Sequence, residues 1–295
     1  MRRARTWSAV PVALALTATC LPFAAAQTGG RGFELEPAEP LERYRPVLRY
    51  DSREDYRAQP VTLPPSKPRA VEADRVYGHI AREGGETWLQ YWFFYPYNPQ
   101  DRGIVDTGRH EGDWEVAQFR VGPHGVPDLA TLSGHTSAEG CDLNELETVA
   151  IDGVEAPVLY VANGSHAIYS RPGVHDRPFP DPNDEADGEG REVRPPLTHI
   201  TDRRPGWVAY EGRWGGSDGG WIPGEQPSPP GPRFQESDAW ENPATFHAER
   251  AHDCGSDPPG RPWQAAVTVG VLAVFGLGIV AIVRRRRTRR RAPAP

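Results

Sequence analysis

The residues VYGHIAREGGETWLQYWFFYPYN, from Val76 to Asn98, predict a β-hairpin. VYGHIAR (76–82) and ETWLQYWFFY (86–95) are rich in aromatic and branched residues, and a Gly-Gly pair between them suits a tight turn. Alternation places two sets on opposite faces of the second strand: Trp88, Gln90, Trp92 and Phe94 on one, Leu89, Tyr91, Phe93 and Tyr95 on the other. Both faces are largely apolar, which favours a central strand whose aromatic residues form a core; a carbohydrate-stacking platform is the alternative.

Outside the hairpin, short apolar stretches alternate with Gly- and Pro-rich turns. We expect further strands in WEVAQFRVG (114–122), LATLSGHT (129–136), APVLYV (156–161) and WVAYEGRWGGS (207–217). No amphipathic helical pattern of twelve or more residues occurs outside the termini. The sequence therefore predicts an all-β fold, a loop-rich β-sandwich that spans residues 41–250.

Both ends of the chain carry targeting signals. Residues 1–26 have three arginines, an apolar run and a small-residue cleavage site, the pattern of a secretory signal peptide. Residues 265–283 contain no charge and would span about 28 Å as a helix, enough to cross a bilayer. The basic segment 284–295 that follows is predicted to stay cytoplasmic. We therefore expect a single-pass cell-membrane protein with an exterior domain, a flexible segment over 27–40 and a juxtamembrane linker over 251–264.

The predicted exterior is strongly acidic. All 40 acidic residues lie there, against 23 of the 33 basic ones, so its net charge is −17. Such a surface repels nucleic acid and attracts cations. Two cysteines, Cys141 and Cys254, remain once the signal peptide is removed, and an even pair in an oxidising compartment predicts a disulfide.

The motif HEGDWE, His110 to Glu115, is the candidate site. On a strand, Asp113 and Glu115 share a face roughly 7 Å apart, and a glycine between them and His110 permits a bend that brings the imidazole close. Two adjacent carboxylates repel unless a proton or cation lies between them, and oxygen-rich ligation suits Ca²⁺, Mg²⁺ or Mn²⁺. Asp101 is the candidate fourth ligand, with Asp106 as competitor. The alternative is a solvated strand end in which Glu115 pairs with an arginine.

Several segments resemble the vacuolar protein sorting-associated protein 62 family, in the expected order from about Leu41 to Phe246. They are YRPVLRYDSREDYR, the aromatic strand, HEGDWE, YVANGSHAIYSRPG, WVAYEGRWGG and PSPPGPRF. HEGDWE is also similar to the G-H-R-H-D-W-E signature of the necrosis- and ethylene-inducing peptide family of secreted cytolysins. That resemblance implies a β-sandwich and a divalent cation held by His110, Asp113, Glu115 and Asp101. The pair Glu111-Gly112 departs from the signature, and an anchor is not expected of a diffusible toxin.

Two further segments bear on the site. Ser165 and His166 are neighbours, but adjacent strand residues face opposite ways, which argues against a nucleophile–base pair; we expect them to contact the cation site or a ligand indirectly. His166 could also ligate the ion directly. The acidic run 181–190 lacks a calcium-loop pattern and is predicted to be a solvated loop, with an independent weak Ca²⁺ site as the alternative.

These features predict a membrane-anchored binding module that recognises a glycan or a lipid headgroup through a divalent cation. The alternatives are a metal-dependent hydrolase, with Glu115 or His166 as general base, and a cytolysin-like membrane-active protein. Catalysis is the weaker hypothesis, because no nucleophile motif accompanies the ligand set.

Overall fold

A computed structural model describes residues 39–100, 108–177, 182–219 and 226–257. The described chain is mostly β, as predicted, and its two α-helices are short: α1 (Glu39–Arg43) and α2 (Pro243–Arg250). None of the helices in these residues is long and apolar enough to cross a membrane. The predicted signal peptide and membrane span lie outside the described residues.

Seven strands form the larger sheet. They are β2 (Val76–Glu83), β3 (Glu86–Asn98), β4 (His110–Val121), β5 (Pro127–Gly134), β6 (Ser137–Asp142), β13 (Leu197–His199) and β14 (Ala251–Asp253). Strands β2 to β6 form an antiparallel meander, flanked by β13 parallel to β2 and β14 parallel to β6. The predicted hairpin is confirmed: Gly84 and Gly85 turn the chain, both at positive φ.

A second sheet contains five strands. They are β1 (Val47–Tyr50), β7 (Thr148–Ile151), β8 (Val154–Val161), β9 (Ile168–Tyr169) and β12 (Glu192–Val193). The order β12-β1-β8-β7 places β1 parallel to β8, and β9 also pairs with β8. A separate ribbon joins β10 (Gly173–His175) to β11 (Asp184–Ala186).

The two sheets share a core, as in the predicted sandwich. One hydrophobic cluster contains Leu89, Tyr91 and Phe93 of β3 together with Leu48 of β1 and Leu159 of β8. Burial of these apolar faces from water is the main driving force that holds the sheets together. The aromatic residues of β3 are therefore core, and the stacking-platform alternative is wrong.

The opposite face of β3 packs against a second aromatic cluster, and here one strand prediction is wrong. WVAYEGRWGGS does not form a strand: Gly206–Ala209 is a 3₁₀ turn that follows Pro205. Trp207, Tyr210 and Trp214 all pack into this cluster. Alternation along a strand would send Trp207 to the other face from Tyr210 and Trp214, so the chain must coil to bury all three.

Two boundaries also differ from expectation. Helix α1 begins at Glu39, inside the predicted flexible segment 27–40. Residues 251–253 of the predicted linker form β14, and Cys254 makes the predicted disulfide with Cys141. The ordered domain therefore extends beyond residue 250.

Candidate functional site

The start of β4 brings the HEGDWE carboxylates into the interior. Asp113 and Glu115 are 7% and 8% exposed and share the face of β4 that carries the core residues Ala117 and Phe119, as alternation predicts. Gly112 has φ 66°, and a Cβ there would lie 1.5 Å from the carbonyl oxygen of Trp214. Only glycine allows the strand to pass so close beneath the 212–217 segment.

His166 lies between two buried carboxylates. Its Nδ1 donates to Asp113 Oδ2 at 2.8 Å, and its Nε2 lies 3.5 Å from Glu54 Oε1. The ring is fully buried and stacks on Tyr95, with 3.9 Å between ring centroids. The turn between β8 and β9 presents this ring from a left-handed conformation, with φ 57°. The His166 imidazole therefore bridges Asp113 and Glu54, a carboxylate that was not among the predicted ligands.

The charges of this cluster respond to one another. Burial opposes protonation of His166, but Glu54 and Asp113 outweigh it and raise the pKa of His166 to about 9. Burial likewise opposes ionisation of Asp113, yet His166 and His110 hold the pKa of that carboxyl below its usual value. Burial and the Asp113 charge raise the pKa of Glu115 well above its usual value. At neutral pH the cluster thus contains an ionised Asp113 and a charged His166, and the Glu115 carboxyl keeps its proton to a higher pH than an exposed glutamic acid does.

His110 is close enough to lower the pKa of Asp113, but its Nδ1 donates to Gly112 O at 2.8 Å. Glu115 accepts a hydrogen bond from Ser133. Asp101 and Asp106 lie outside the described residues. Among the residues that the structure does describe, no three His, Cys, Asp or Glu side chains are placed to hold a metal ion. The three predicted ligands that the structure describes, His110, Asp113 and Glu115, are neighbours, but each is turned to a protein partner.

Ser165 belongs to a second network, centred on Asp184. Its hydroxyl donates to Asp184 Oδ1 at 2.8 Å, so Ser165 and His166 belong to separate networks. The argument from strand alternation does not apply, because both residues lie in the turn between β8 and β9. Asp184 is fully buried and also accepts hydrogen bonds from Gln100, His135 and Tyr169 at 2.6 to 2.8 Å. The run 181–190 is therefore not a wholly solvated loop as expected. Its β11 part buries the Asp184 carboxylate, which accepts hydrogen bonds from four other parts of the chain.

A cavity of about 400 Å³ lies beside both networks. Polar and small residues line it: Arg53, Pro99, Gln100, Asn163, Gly164, Pro182, Asn183 and Glu185. A cavity of this size falls in the usual range for small-ligand sites. Gly164 and Asn163 connect it to the turn that carries Ser165 and His166, so a ligand in the cavity would lie next to the buried charges.

Sequence reasoning missed three residues of this site: Glu54, His135 and Asp184. Glu54 lies in the segment YRPVLRYDSREDYR and Asp184 in the acidic run 181–190, but nothing in the sequence places either of them, or His135, beside HEGDWE. His135 has φ 51° in the β5–β6 turn, a left-handed conformation that the neighbouring residues do not predict. Only the pairing of strands brings these side chains to Asp113 and Ser165.

The fold and site define a mostly β protein with a buried acid–imidazole centre beside a polar cavity. Residues 67–177 match the family described as vacuolar protein sorting-associated protein 62, which confirms that resemblance. Two relatives from Saccharomyces cerevisiae are similar. The putative vacuolar protein sorting-associated protein TDA6 is 31% identical over 148 residues, which cover 43% of this chain and 29% of that protein. Vacuolar protein sorting-associated protein 62 is 30% identical over 154 residues, 44% and 30% of the two chains. The match thus spans less than a third of either relative.

Similar solved structures include NLPPya in complex with glucosamine, with a TM-score of 0.35 and 15% identity. That match covers 55% of this chain and 71% of the other. Another is Necrosis and Ethylene inducing Protein 2 from the causal agent of cocoa's Witches Broom disease, with a TM-score of 0.34 and 17% identity. It covers 56% of this chain and 73% of that one.

Proposed function

We propose that this chain is an extracytoplasmic, membrane-anchored binding protein that recognises a hydroxyl-rich ligand, such as a sugar unit of a glycan, in the cavity beside Asp184. The observation that supports this most is the cavity lining. Asn163 presents a carboxamide that makes no side-chain hydrogen bond among the described residues, next to the charged groups of Arg53 and Glu185. A hydroxyl both donates and accepts, so vicinal hydroxyls match a carboxamide and a carboxylate together.

Charge favours a sugar over a phosphate headgroup. Arg53 is the one cationic side chain in the cavity lining, and it is already paired with Asp51 and Glu185. An anionic phosphate would meet a neutralised arginine beside the Asp184 and Glu54 carboxylates. A neutral polyol avoids this repulsion.

A divalent cation is the second part of the proposal. Asp113, Glu115 and His110 are neighbours, and the raised pKa of Glu115 reflects burial and repulsion from Asp113. A Ca²⁺, Mg²⁺ or Mn²⁺ ion would relieve that repulsion once Asp113 turns from His166 and Glu115 loses its proton. His166 then competes with the ion for Asp113, or His166 and Glu54 become ligands of the ion. Hydrolysis is the lesser alternative, because Ser165 is committed to Asp184 and His166 to two carboxylates.

The disulfide supports an exterior location. Such bridges persist in oxidising compartments, where the predicted signal peptide would deliver the chain. The basic tail after the predicted span orients the domain outward.

Saturation-transfer NMR on the purified chain tests ligand class, with neutral methyl glycosides and phosphocholine as probes. We expect transfer to at least one glycoside and a loss of about tenfold in affinity for Asn163→Leu. Asn144→Leu changes an exposed asparagine that does not line the cavity; it is the matched control and should bind as the wild type does. Transfer to phosphocholine alone would overturn the choice of a sugar.

Calorimetry with each metal tests the cation. Asp113→Asn should abolish a heat of binding that the wild type shows, while Asp152→Asn in an exposed turn should retain it. Glycoside binding that persists in chelator would remove the cation from the proposal and leave the cavity intact.

A further inference from the structure

The segment 254–257 contacts residues 171–176, which lie outside the cavity lining. Gly255 O accepts a hydrogen bond from the Arg171 guanidinium, and Asp257 Oδ1 accepts one from the Asp176 backbone amide at 3.0 Å. These two contacts lie at the ends of the strap 171–176, which contains β10. The segment therefore holds the strap at both ends.

The strap leads directly to the cavity. Asp176 Oδ1 accepts a hydrogen bond from Asn183 Nδ2 at 2.6 Å, and Asn183 Oδ1 accepts one from the Arg177 amide at 3.1 Å. Arg177 in turn donates to Gln100 Oε1 at 2.7 Å and lies 3.6 Å from Asp184. Asn183 and Gln100 both line the cavity. A continuous chain of hydrogen bonds thus runs from Asp257 to the cavity wall.

The disulfide fixes the near end of this chain. Cys254 directly precedes Gly255 and is bonded to Cys141, which is fully buried in β6. β14 adds only three residues of parallel pairing at the edge of the large sheet. Without the covalent bond, residues 254–257 would be held by a three-residue edge strand and a few exposed hydrogen bonds, and such segments open at low free-energy cost.

We propose that residues 254–257 form a disulfide-anchored clamp that positions the cavity wall, with Asp257 as the positioning residue. The clamp acts through Asp176 and Asn183 and does not touch the ligand. The effect of the clamp on ligand binding rests on the proposed function. Its effect on the mobility of the strap can be measured without any ligand.

Reduction offers a way to open the clamp. Cys254 lines a separate cavity of about 420 Å³, and we expect a small dithiol to reach the disulfide from there. Thiolate attack there breaks the sulfur–sulfur bond, and Cys141 leaves as a thiolate that takes up a proton. The second thiol of the reagent then frees Cys254, and the reagent closes to its cyclic disulfide.

Amide hydrogen exchange of the full chain tests the clamp. In Asp257→Ala, with the disulfide intact, we expect exchange at residues 171–177 and 182–186 to rise at least tenfold, while β3 and β4 keep wild-type rates. Asp253→Ala is the matched control: this exposed carboxylate, at the end of β14, makes no side-chain hydrogen bond or ion pair to the strap. Its exchange should match that of the wild type.

Dithiothreitol should raise exchange at residues 171–177 and 182–186 of the wild-type chain as Asp257→Ala does, and it should also raise exchange in β3 and β4, because reduction lowers the free energy of unfolding of the whole chain. Unchanged exchange at 171–186 in Asp257→Ala would overturn the clamp, and so would an equal rise in Asp253→Ala. Glycoside titration of Asp257→Ala separates the two proposals. Faster exchange together with weaker glycoside binding in Asp257→Ala supports both proposals. If Asp257→Ala exchanges faster but even the wild type binds no glycoside, the clamp is supported and the proposed ligand is ruled out.

Discussion

Asp184 shows how much one buried side chain can organise. Burial would raise the pKa of its carboxyl, but the His135 and Arg177 charges and the Tyr169 hydrogen bond hold that pKa below its usual value. Its two oxygens accept from Gln100, Ser165, His135 and Tyr169. A buried carboxylate is tolerable only with such complete pairing.

Asp184→Asn should therefore destabilise the protein by about 2–4 kcal/mol, since an amide NH₂ would face donors and leave at least one unpaired. Urea unfolding with linear extrapolation measures the loss. Asp152→Asn, exposed in the β7–β8 turn, should stay within about 0.5 kcal/mol of the wild type. Equal stability of the two variants would contradict a structural role for Asp184.

His79 is a buried histidine outside the site. Its ring stacks on Trp240 with 3.7 Å between centroids, and its Nδ1 contacts Gln90 Oε1 at 2.9 Å. Burial lowers the pKa of His79 to about 4, although Gln90 and Asp202 oppose the shift. His199 and Arg233 add to it. The folded state therefore requires the neutral ring.

The sign of the pH effect follows. Above pH 6.5 both states hold neutral His79 and no stability is lost; as pH falls from about 6.5 to 4, the unfolded state gains a proton that the folded state resists. The loss reaches about 3 kcal/mol. We expect the difference in free energy of unfolding between wild type and His79→Gln to change by this amount between pH 7 and 4. A constant difference would show that His79 titrates normally.

At the scale of the element, β4 is distinctive because it must serve both the core and the site. The strand pairs with β3 at eleven positions between His110 and Val121, and with β5 from Ala117 to Val121. Its start bends at Gly112, beneath the backbone of Trp214. This bend lets His110 lie close to Asp113 while Asp113 still points inward.

Gly112→Ala should lower the free energy of unfolding by more than about 3 kcal/mol or prevent folding. The new Cβ would clash with the Trp214 carbonyl, and alanine would also have to adopt an unfavourable positive φ. Gly153→Ala isolates the second effect: its φ is 77° but nothing lies within 4 Å of the added carbon. That control should cost only about 1–2 kcal/mol. Thermal and urea unfolding compare the two, and similar losses would refute the close approach.

On the scale of the whole molecule, the disulfide joins residues separated by 113 positions. It links β6 to the segment after β14, and the loop that it closes contains β7 to β14, among them four strands of the second sheet and the β10–β11 ribbon. Closing a loop of this length restricts the unfolded chain strongly.

The double variant Cys141→Ala/Cys254→Ala should lose about 4–5 kcal/mol of unfolding free energy by the loop-closure relation. Urea unfolding of the variant, and of wild type with dithiothreitol, should converge on similar values. A loss below about 1 kcal/mol would show that the unfolded chain gains little freedom.

Much of the architecture is local information. Alternating apolar residues specify β3 and β4 and the faces of these strands that meet the shared core, because side-chain direction repeats every two residues. Separately, the two cysteines of the predicted exterior predict their own bond. The sequence therefore determined the hairpin, the disulfide and the shared face of Asp113 and Glu115. The tertiary structure alone decided that His166 lies between Asp113 and Glu54, that Asp184 is buried and that 207–217 coils. These outcomes depend on charges and rings brought together from distant segments, and burial free energy and charge pairing depend on distance in space, which no local pattern records.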